Sequence, residues 1–311
     1  MKAVFGDLVF EDPAAIELEG VEFAIHPPLR SAEEISAAAG DADILLIRDQ
    51  FCRITRDVLA GCPNLKLLIT RSAGYDHIDL ESAQAQGVVV CNVPDYGAHM
   101  IAEHAFGLML AVARKICVGN RRYREERRFN STGLSGLELY GKTLGVIGTG
   151  RIGRHSIRIG QGFGMNVIAY DVLQSEQLAA EMGFHYLSLQ ELLAAADFIT
   201  IHVPLLPGTR HLISADTLDL VKPGAVLVNT SRGDIVDTDA LRTALSEGRL
   251  RGAGLDVLEG EHDLYQDFGD LNVVVTPHIG WYTDEAVNRI MQVSLENVRA
   301  WLAGHPVNRI A

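Results

Sequence analysis

The stretch Leu144-Gly-Val-Ile-Gly-Thr-Gly-Arg-Ile-Gly153 decides the fold. An apolar run ends in Gly148-Thr-Gly-Arg-Ile-Gly153, which is Gly-x-Gly-x-x-Gly. The chain has 30 glycines, so that spacing alone could arise by chance. Its surroundings give it meaning. Residues 143–147 read as a buried strand, residues 151–160 can start a helix, and residues 166–170 read as the next strand, which delivers Asp171. Strand, glycine turn, helix, strand and acid, with the acid about twenty residues past the glycines, is the order of a dinucleotide site. The competing reading is a plain glycine turn beside a strand-terminal aspartate.

Each residue of the fingerprint has a physical task. Gly148 allows the tight turn, Gly150 lets the backbone approach a pyrophosphate, and Gly153 lets the helix pack close to the strand. The helix N-terminus offers N–H groups and a partial positive charge to the phosphates. Asp171 would accept hydrogen bonds from the adenosine ribose and repel a 2′-phosphate. No Arg or Lys follows among Val172, Leu173 and Gln174. The expected cofactor is NAD.

Working outward, apolar runs recur at 143–147, 166–170, 197–202, 225–229, 252–257 and 272–276. Six strands starting at the glycine loop make a doubly wound domain. Residues 1–97 repeat the βα rhythm with runs at 2–5, 43–47, 66–70 and 87–91 and a weaker one at 21–25. Helical spacing appears between them at 32–39, 55–61 and 80–86. Residues 99–117 read as one long helix, apolar on most faces, that bridges domains or meets a twin subunit. The last helix, about 284–303, is amphipathic and returns to the first domain. The fold class expected is α/β with two domains, each a parallel sheet with helices on both faces. A flavodoxin-like substrate domain (1–97 and 284–311) is interrupted by a Rossmann-type cofactor domain (98–283).

Composition narrows the partners. There are 27 Lys and Arg against 40 Asp and Glu, a net charge of −13, which argues against nucleic acid or an anionic membrane. The run Arg121-Arg-Tyr-Arg-Glu-Glu-Arg-Arg128 contains two glutamates and reads as a solvated or subunit-facing segment. The four cysteines have no metal-ligand spacing and fit a reducing cytoplasm. No metal is expected. No apolar stretch reaches the ~18 residues of a membrane helix.

An anionic substrate then needs a placed cation. Ligands of open α/β sheets sit beyond the carboxyl ends of the strands, and three polar residues follow successive strand ends: Arg232, Glu261 and His278. Any one of them alone would read as a loop residue. Together they suit hydride exchange with a 2-oxo or 2-hydroxy acid. Arg232 binds the carboxylate or polarises the carbonyl, and His278 gives or takes the proton. Glu261 orients the imidazole and favours its protonated form.

Several stretches carry a resemblance. They are Arg71-Ser-Ala-Gly-Tyr-Asp-His-Ile-Asp79, Val93-Pro94 through Ile101-Ala-Glu-His104, the fingerprint with Asp171, Asn229-Thr-Ser-Arg-Gly-Asp234, Gly252-Ala-Gly-Leu-Asp-Val257 with Glu261, and Thr276-Pro-His-Ile-Gly280. On these the chain resembles the D-2-hydroxyacid dehydrogenase family over nearly its whole length. The resemblance implies the same catalytic trio and makes Glu259 a bystander. It implies that backbone N–H groups around Ser72, Ala73 and Gly74 bind the substrate carboxylate and that Tyr96 and Trp281 line the pocket. For those two aromatics a core role is the alternative. It assigns Asp256 to the nicotinamide carboxamide and Arg151, Ile152, Val203, Pro204, Thr230 and Gly280 to cofactor contacts. His99, His104 and His202 match no catalytic position and take packing or hydrogen-bonding roles.

Val93-Pro-Asp-Tyr96 and His278-Ile-Gly-Trp281 look most like the D-lactate and D-2-hydroxyisocaproate branch, and a homodimer is implied. Glyoxylate, hydroxypyruvate and phosphite members stay open as alternatives, as does a non-catalytic NADH-sensing corepressor of the same fold. The regulatory C-terminal domain of long phosphoglycerate dehydrogenases is expected to be missing.

Overall fold

The computed structural model describes residues 1–6, 16–48, 52–260 and 266–311, and the chain divides into two compact units. The first unit comprises Met1–Tyr96 and Tyr282–Ala311, the second Gly97–Trp281.

The first unit opens with β1 (Lys2–Phe5), β2 (Glu22–Ile25), α1 (Ala32–Ala39), β3 (Ile44–Ile47), α2 (Arg56–Ala60), β4 (Leu67–Thr70), α3 (Leu80–Ala85) and β5 (Val89–Cys91). Its five described strands are parallel in the order β2-β1-β3-β4-β5. β3 and β4 are fully buried, Ile-Leu-Leu-Ile and Leu-Leu-Ile-Thr. That is the continuous apolar run of strands covered on both faces. Side-chain oxygens of Ser31 and Asp79 cap α1 and α3.

The second unit contains α4 (Ala98–Ala113), α5 (Ile116–Arg124), β6 (Thr143–Ile147), α6 (Arg151–Gly162), β7 (Asn166–Tyr170), α7 (Glu176–Met182), β8 (His185–Tyr186), α8 (Leu189–Ala195), β9 (Phe198–Ile201), α9 (Ala215–Leu218), β10 (Ala225–Asn229), α10 (Thr238–Ser246), β11 (Leu250–Leu255) and β12 (Val273–Val275). α11 (Asp284–Leu302) then rejoins the first unit. The second sheet is parallel in the order β12-β11-β10-β9-β6-β7-β8. Strand order reverses between β6 and β9, so the switch point lies beside the glycine loop. β8 is a seventh strand, two residues long, too short to show in the apolar pattern.

The helix expected over 99–117 is two helices. Lys115 takes a left-handed φ of 52° and breaks it. α4 is apolar because it lies on the second unit's own sheet, where Leu108 packs at Gly254 and Val112 at Gly252. Phe106 of α4 also stacks on Phe163 at 5.6 Å between centroids. That packing accounts for the buried side of α4, while Ile101, Gly107, Leu110 and Ala111 stay partly or fully exposed. α5 has no buried residue, and the arginine run is largely exposed.

In the first unit the C-terminal segment covers an open sheet edge. Cys91 and Arg309 bridge antiparallel, and Ile310 N–H donates to the Val90 carbonyl at 2.8 Å. No described helix is long and apolar enough to cross a membrane.

Candidate active site

Because the second sheet is parallel, the residues following β6, β7, β9, β10, β11 and β12 share one edge. Gly148 leaves β6 with φ +98°, a value L side chains avoid, and its N–H donates to the Tyr170 carbonyl of β7. Gly153 sits against the Gly148 carbonyl so closely that a Cβ would overlap its oxygen. Val203 covers the same turn.

Asp171 ties the loop to β7. Its Oδ2 accepts from Thr149 N (2.7 Å) and Thr149 Oγ1 (3.0 Å), and Oδ1 accepts from Leu173 N (3.0 Å). Three donors leave room on a carboxylate with about four acceptor sites. Thr149 Oγ1 also meets the Tyr186 hydroxyl at 2.8 Å.

His202 follows β9 and braces α6. Its Nε2 lies 2.8 Å from Ser156 Oγ and 3.1 Å from Thr200 Oγ1, and burial pushes its pKa down to about 3. The ring is neutral at neutral pH and serves as a strut, which agrees with the hydrogen-bonding role expected of it.

Past β10, Asn229 shapes the turn that presents Arg232. Its Oδ1 accepts from Ser231 N and Oγ, and its Nδ2 donates to the Arg232 carbonyl at 2.8 Å. Gly233 lies directly on the Leu258–Glu259 backbone, so the Arg232 turn abuts the segment that leads to Glu261. Glu261 itself lies outside the described residues. Glu259 pairs with His211 at 2.6 Å and accepts from Gln266 through its carbonyl.

Past β11, Asp256 is 2% exposed and organises the turn that carries His278. Its Oδ1 accepts from Thr276 Oγ1 (2.6 Å) and Ile279 N (2.9 Å), and Oδ2 accepts from Gly280 N (2.8 Å). His104 of α4 closes the cluster, with Nε2 3.2 Å from Asp256 Oδ1 and 3.0 Å from Thr276 Oγ1. Burial alone would raise the Asp256 pKa. The hydrogen bonds from His104, Thr276 and Gly280 outweigh it and hold the carboxyl below its ordinary range. The family resemblance assigns Asp256 to the nicotinamide carboxamide. Here both oxygens are engaged by the 276–280 turn and His104, so its visible work is to clamp that turn. His278 adopts a left-handed φ of 53°, and its N–H donates to the Asp256 and Thr276 carbonyls. A non-glycine residue held in this region is strained and persists where its surroundings over-determine it.

In the first unit, Ser72, Ala73 and Gly74 follow β4, and Ala73 and Gly74 are at least partly exposed. The Ser72 hydroxyl is turned inward, to the Gly74 carbonyl and Thr70 Oγ1, both at 2.7 Å. Only backbone of this loop is on offer. Tyr96 is nearly buried, and its carbonyl accepts from Arg289 Nε of α11. Trp281 is half-buried at the end of the second unit.

Three features suit the second unit's edge to a dinucleotide. α6 begins at Gly150 with no side-chain cap, whereas α7, α8 and α10 have theirs from Ser175, Ser188 and Asp237. Gly150 faces open space. Thr230 Oγ1 is buried with no hydrogen-bond partner among the described residues. Arg151 and Ile152 open the helix, and Pro204 and Gly280 lie on the same edge. A glycine turn at the switch point, an acid on the neighbouring strand and an uncapped helix define a dinucleotide-binding α/β protein. Arg232 and His278 follow β10 and β12 on that same edge.

The chain belongs to the D-isomer-specific 2-hydroxyacid dehydrogenase family: the model of that family's NAD-binding domain matches residues 106–280. It is 39% identical over 310 residues to a D-3-phosphoglycerate dehydrogenase of Methanocaldococcus jannaschii, covering 98% of this chain and 58% of the relative. It is 40% identical over 259 residues to a glyoxylate reductase of Pyrococcus furiosus, covering 81% and 77%. The structure of an Aquifex aeolicus D-lactate dehydrogenase complexed with NAD and lactic acid superposes with a TM-score of 0.86 at 32% identity, covering 99% of this chain and 100% of that one. The chain spans about half the length of the phosphoglycerate dehydrogenases it matches.

Proposed function

We propose that this protein is an NAD-dependent 2-hydroxyacid dehydrogenase that reversibly reduces a small 2-oxo acid of the pyruvate type to its D-2-hydroxy acid. The observation that carries this reading is the strained His278 turn, clamped by Asp256 on the edge that holds the glycine loop and Arg232.

Bound NADH supplies the hydride. The glycine turn and the α6 N-terminus hold the pyrophosphate, Asp171 takes the adenosine ribose, and Thr230 Oγ1 gains the partner it lacks. Arg232 binds the substrate carboxylate or its carbonyl oxygen, with a guanidinium charged at any working pH. His278 gives its ring proton to the carbonyl oxygen in reduction and takes it back in oxidation, a contribution of ~10²–10⁴ in rate. Glu261 orients that ring. In the first unit, taken by itself, the Ala73 and Gly74 N–H groups are open to an anion such as the substrate carboxylate.

NADH consumption across pyruvate, larger 2-oxo acids, glyoxylate and hydroxypyruvate, with D-3-phosphoglycerate tested in oxidation, measures this directly. Pyruvate or a larger analogue should be preferred, and turnover of none of them would sink the reading. His278→Ala should cut turnover by about 10²-fold or more with NADH affinity held. A homodimer is supported by the exposed Tyr123–Phe129 ring pair beyond α4, Phe129 being 93% exposed. Light scattering of the purified protein should give twice the chain mass.

A further inference from the structure

We propose that Asn92, Asn297 and Asn308 form a buried amide relay that aims the carboxylate-binding loop, making them positioning residues for the substrate. The proposal rests on the carboxylate role given to the Ala73 and Gly74 N–H groups above.

The relay lies wholly in the first unit. Asn297, on α11, is fully buried; its Nδ2 donates to the Asn92 carbonyl at 2.9 Å, and its Oδ1 accepts from Asn308 Nδ2 at 2.9 Å. The Asn308 carbonyl accepts from Asn92 N at 3.1 Å. Asn92 Nδ2 in turn donates to the Ala73 carbonyl at 2.9 Å. Each amide can point only one way. Asn92 and Asn297 donate to backbone carbonyls, which accept and cannot donate, so their Nδ2 groups must face them, and Asn297 is left with only Oδ1 to offer the Asn308 Nδ2. Asn308 holds a left-handed φ of 52°, a conformation asparagine tolerates better than most residues.

The consequence falls on the loop. A peptide unit is planar and trans, so its C=O and N–H point in opposite directions. The Ser72 carbonyl is held by Val93 N at 3.0 Å, which turns the Ala73 N–H away from residues 92 and 93. The Ala73 carbonyl is held by Asn92, which turns the Gly74 N–H away likewise. Neither N–H has a hydrogen-bond partner among the described residues. Two successive N–H groups left open on one side make an anion-binding concavity. Without the Asn92 amide, the peptide joining Ala73 to Gly74 is free to rotate and one of the two donors is lost.

The test compares Asn92→Ala, and Asn308→Gly as the milder variant, with wild type. Asn308→Gly keeps the left-handed backbone and its carbonyl and removes only the amide. Pyruvate and its methyl ester are the substrate pair, because only pyruvate carries the carboxylate. The expected result for Asn92→Ala is a KM for pyruvate raised about 10- to 100-fold, the scale of a ~1 Å misplacement. Its kcat and NADH affinity stay within about twofold, and its preference for pyruvate over the ester falls by the same factor as KM rises. Asn308→Gly should move in the same direction by a smaller factor. Equal losses on both substrates, or an unchanged KM in both variants, overturn the relay, since general loosening does not read the carboxylate.

Amide NMR with oxalate as probe separates this from the enzymatic reading. If wild type turns over no 2-oxo acid but oxalate shifts the Ala73 and Gly74 amides in wild type, less in Asn308→Gly and not in Asn92→Ala, the relay stands and the enzymatic reading fails. Absence of that shift in wild type overturns the relay.

Discussion

Replacing Gly153 by alanine sets two opposed effects against each other. In a helix interior alanine is favoured over glycine by about 1 kcal/mol, and Gly153 is the third residue of α6. Propensity alone would make the variant more stable. Packing says otherwise, because the new Cβ would overlap the Gly148 carbonyl oxygen. Both are backbone-fixed, so no rotamer change relieves the clash, and the first turn of α6 must move from β6 by about 1 Å or more in a close-packed interior. Overpacking of this kind costs about 1–3 kcal/mol. The same movement pulls on Arg154, bonded to the Thr149 carbonyl, and on Ser156, bonded to His202. It also displaces the N–H groups meant for the pyrophosphate. The expected outcome is a net loss of up to about 2 kcal/mol in urea unfolding and an NADH Kd raised about tenfold or more by fluorescence titration. A Gly153→Ala protein as stable as wild type, with unchanged NADH affinity, would refute the close approach as the reason for the glycine.

Four further outcomes are expected. His202 stays neutral in the fold down to about pH 3, while an unfolded histidine takes up its proton near 6.5. Stability therefore falls as pH drops from 6.5, by up to ~1.4 kcal/mol per pH unit; His202→Gln should flatten urea midpoints between pH 6 and 4, and an unchanged slope would refute the buried neutral ring. Asp256→Asn puts an N–H donor among N–H and O–H donors and should cost about 2–3 kcal/mol, with kcat lowered as the His278 turn loosens. The lowered carboxyl pKa of Asp256 adds acid lability that is absent above the ordinary value of 3.8 and grows as pH falls through the folded value. Asp171→Ala should narrow the preference for NADH over NADPH in paired KM measurements, and an unaltered ratio would dismiss its charge as the discriminator.

The cofactor edge was readable from the chain because its signals are local. The fingerprint, the apolar strands and Asp171 lie within one βαβ unit, and parallel topology then places every strand end together. What escaped was set by partners far away in sequence. Lys115 breaks a helix whose apolar pattern runs on past it. The clamp of Asp256 on residues 276–280 and His104 was not visible in the sequence, because its partners lie 20 to 152 residues away. Nothing in the pattern of residues 92, 297 and 308 announces that three asparagines meet under the 72–74 loop. Arg232 and His278 were placed by strand-end logic and do share the edge, whereas Glu261 falls outside the described residues.

The first unit is assembled from both ends of the sequence, with the whole second unit inserted between them. During synthesis, residues 1–96 emerge with β5 lacking its antiparallel neighbour and with no α11 to cover them. At about 5–20 residues per second, roughly ten to forty seconds pass before residues 282–311 follow. The contiguous second unit can complete its sheet within that interval. A nascent chain should therefore acquire the nucleotide-binding unit first, while the first unit waits with apolar surface uncovered, which makes it the part most dependent on chaperones.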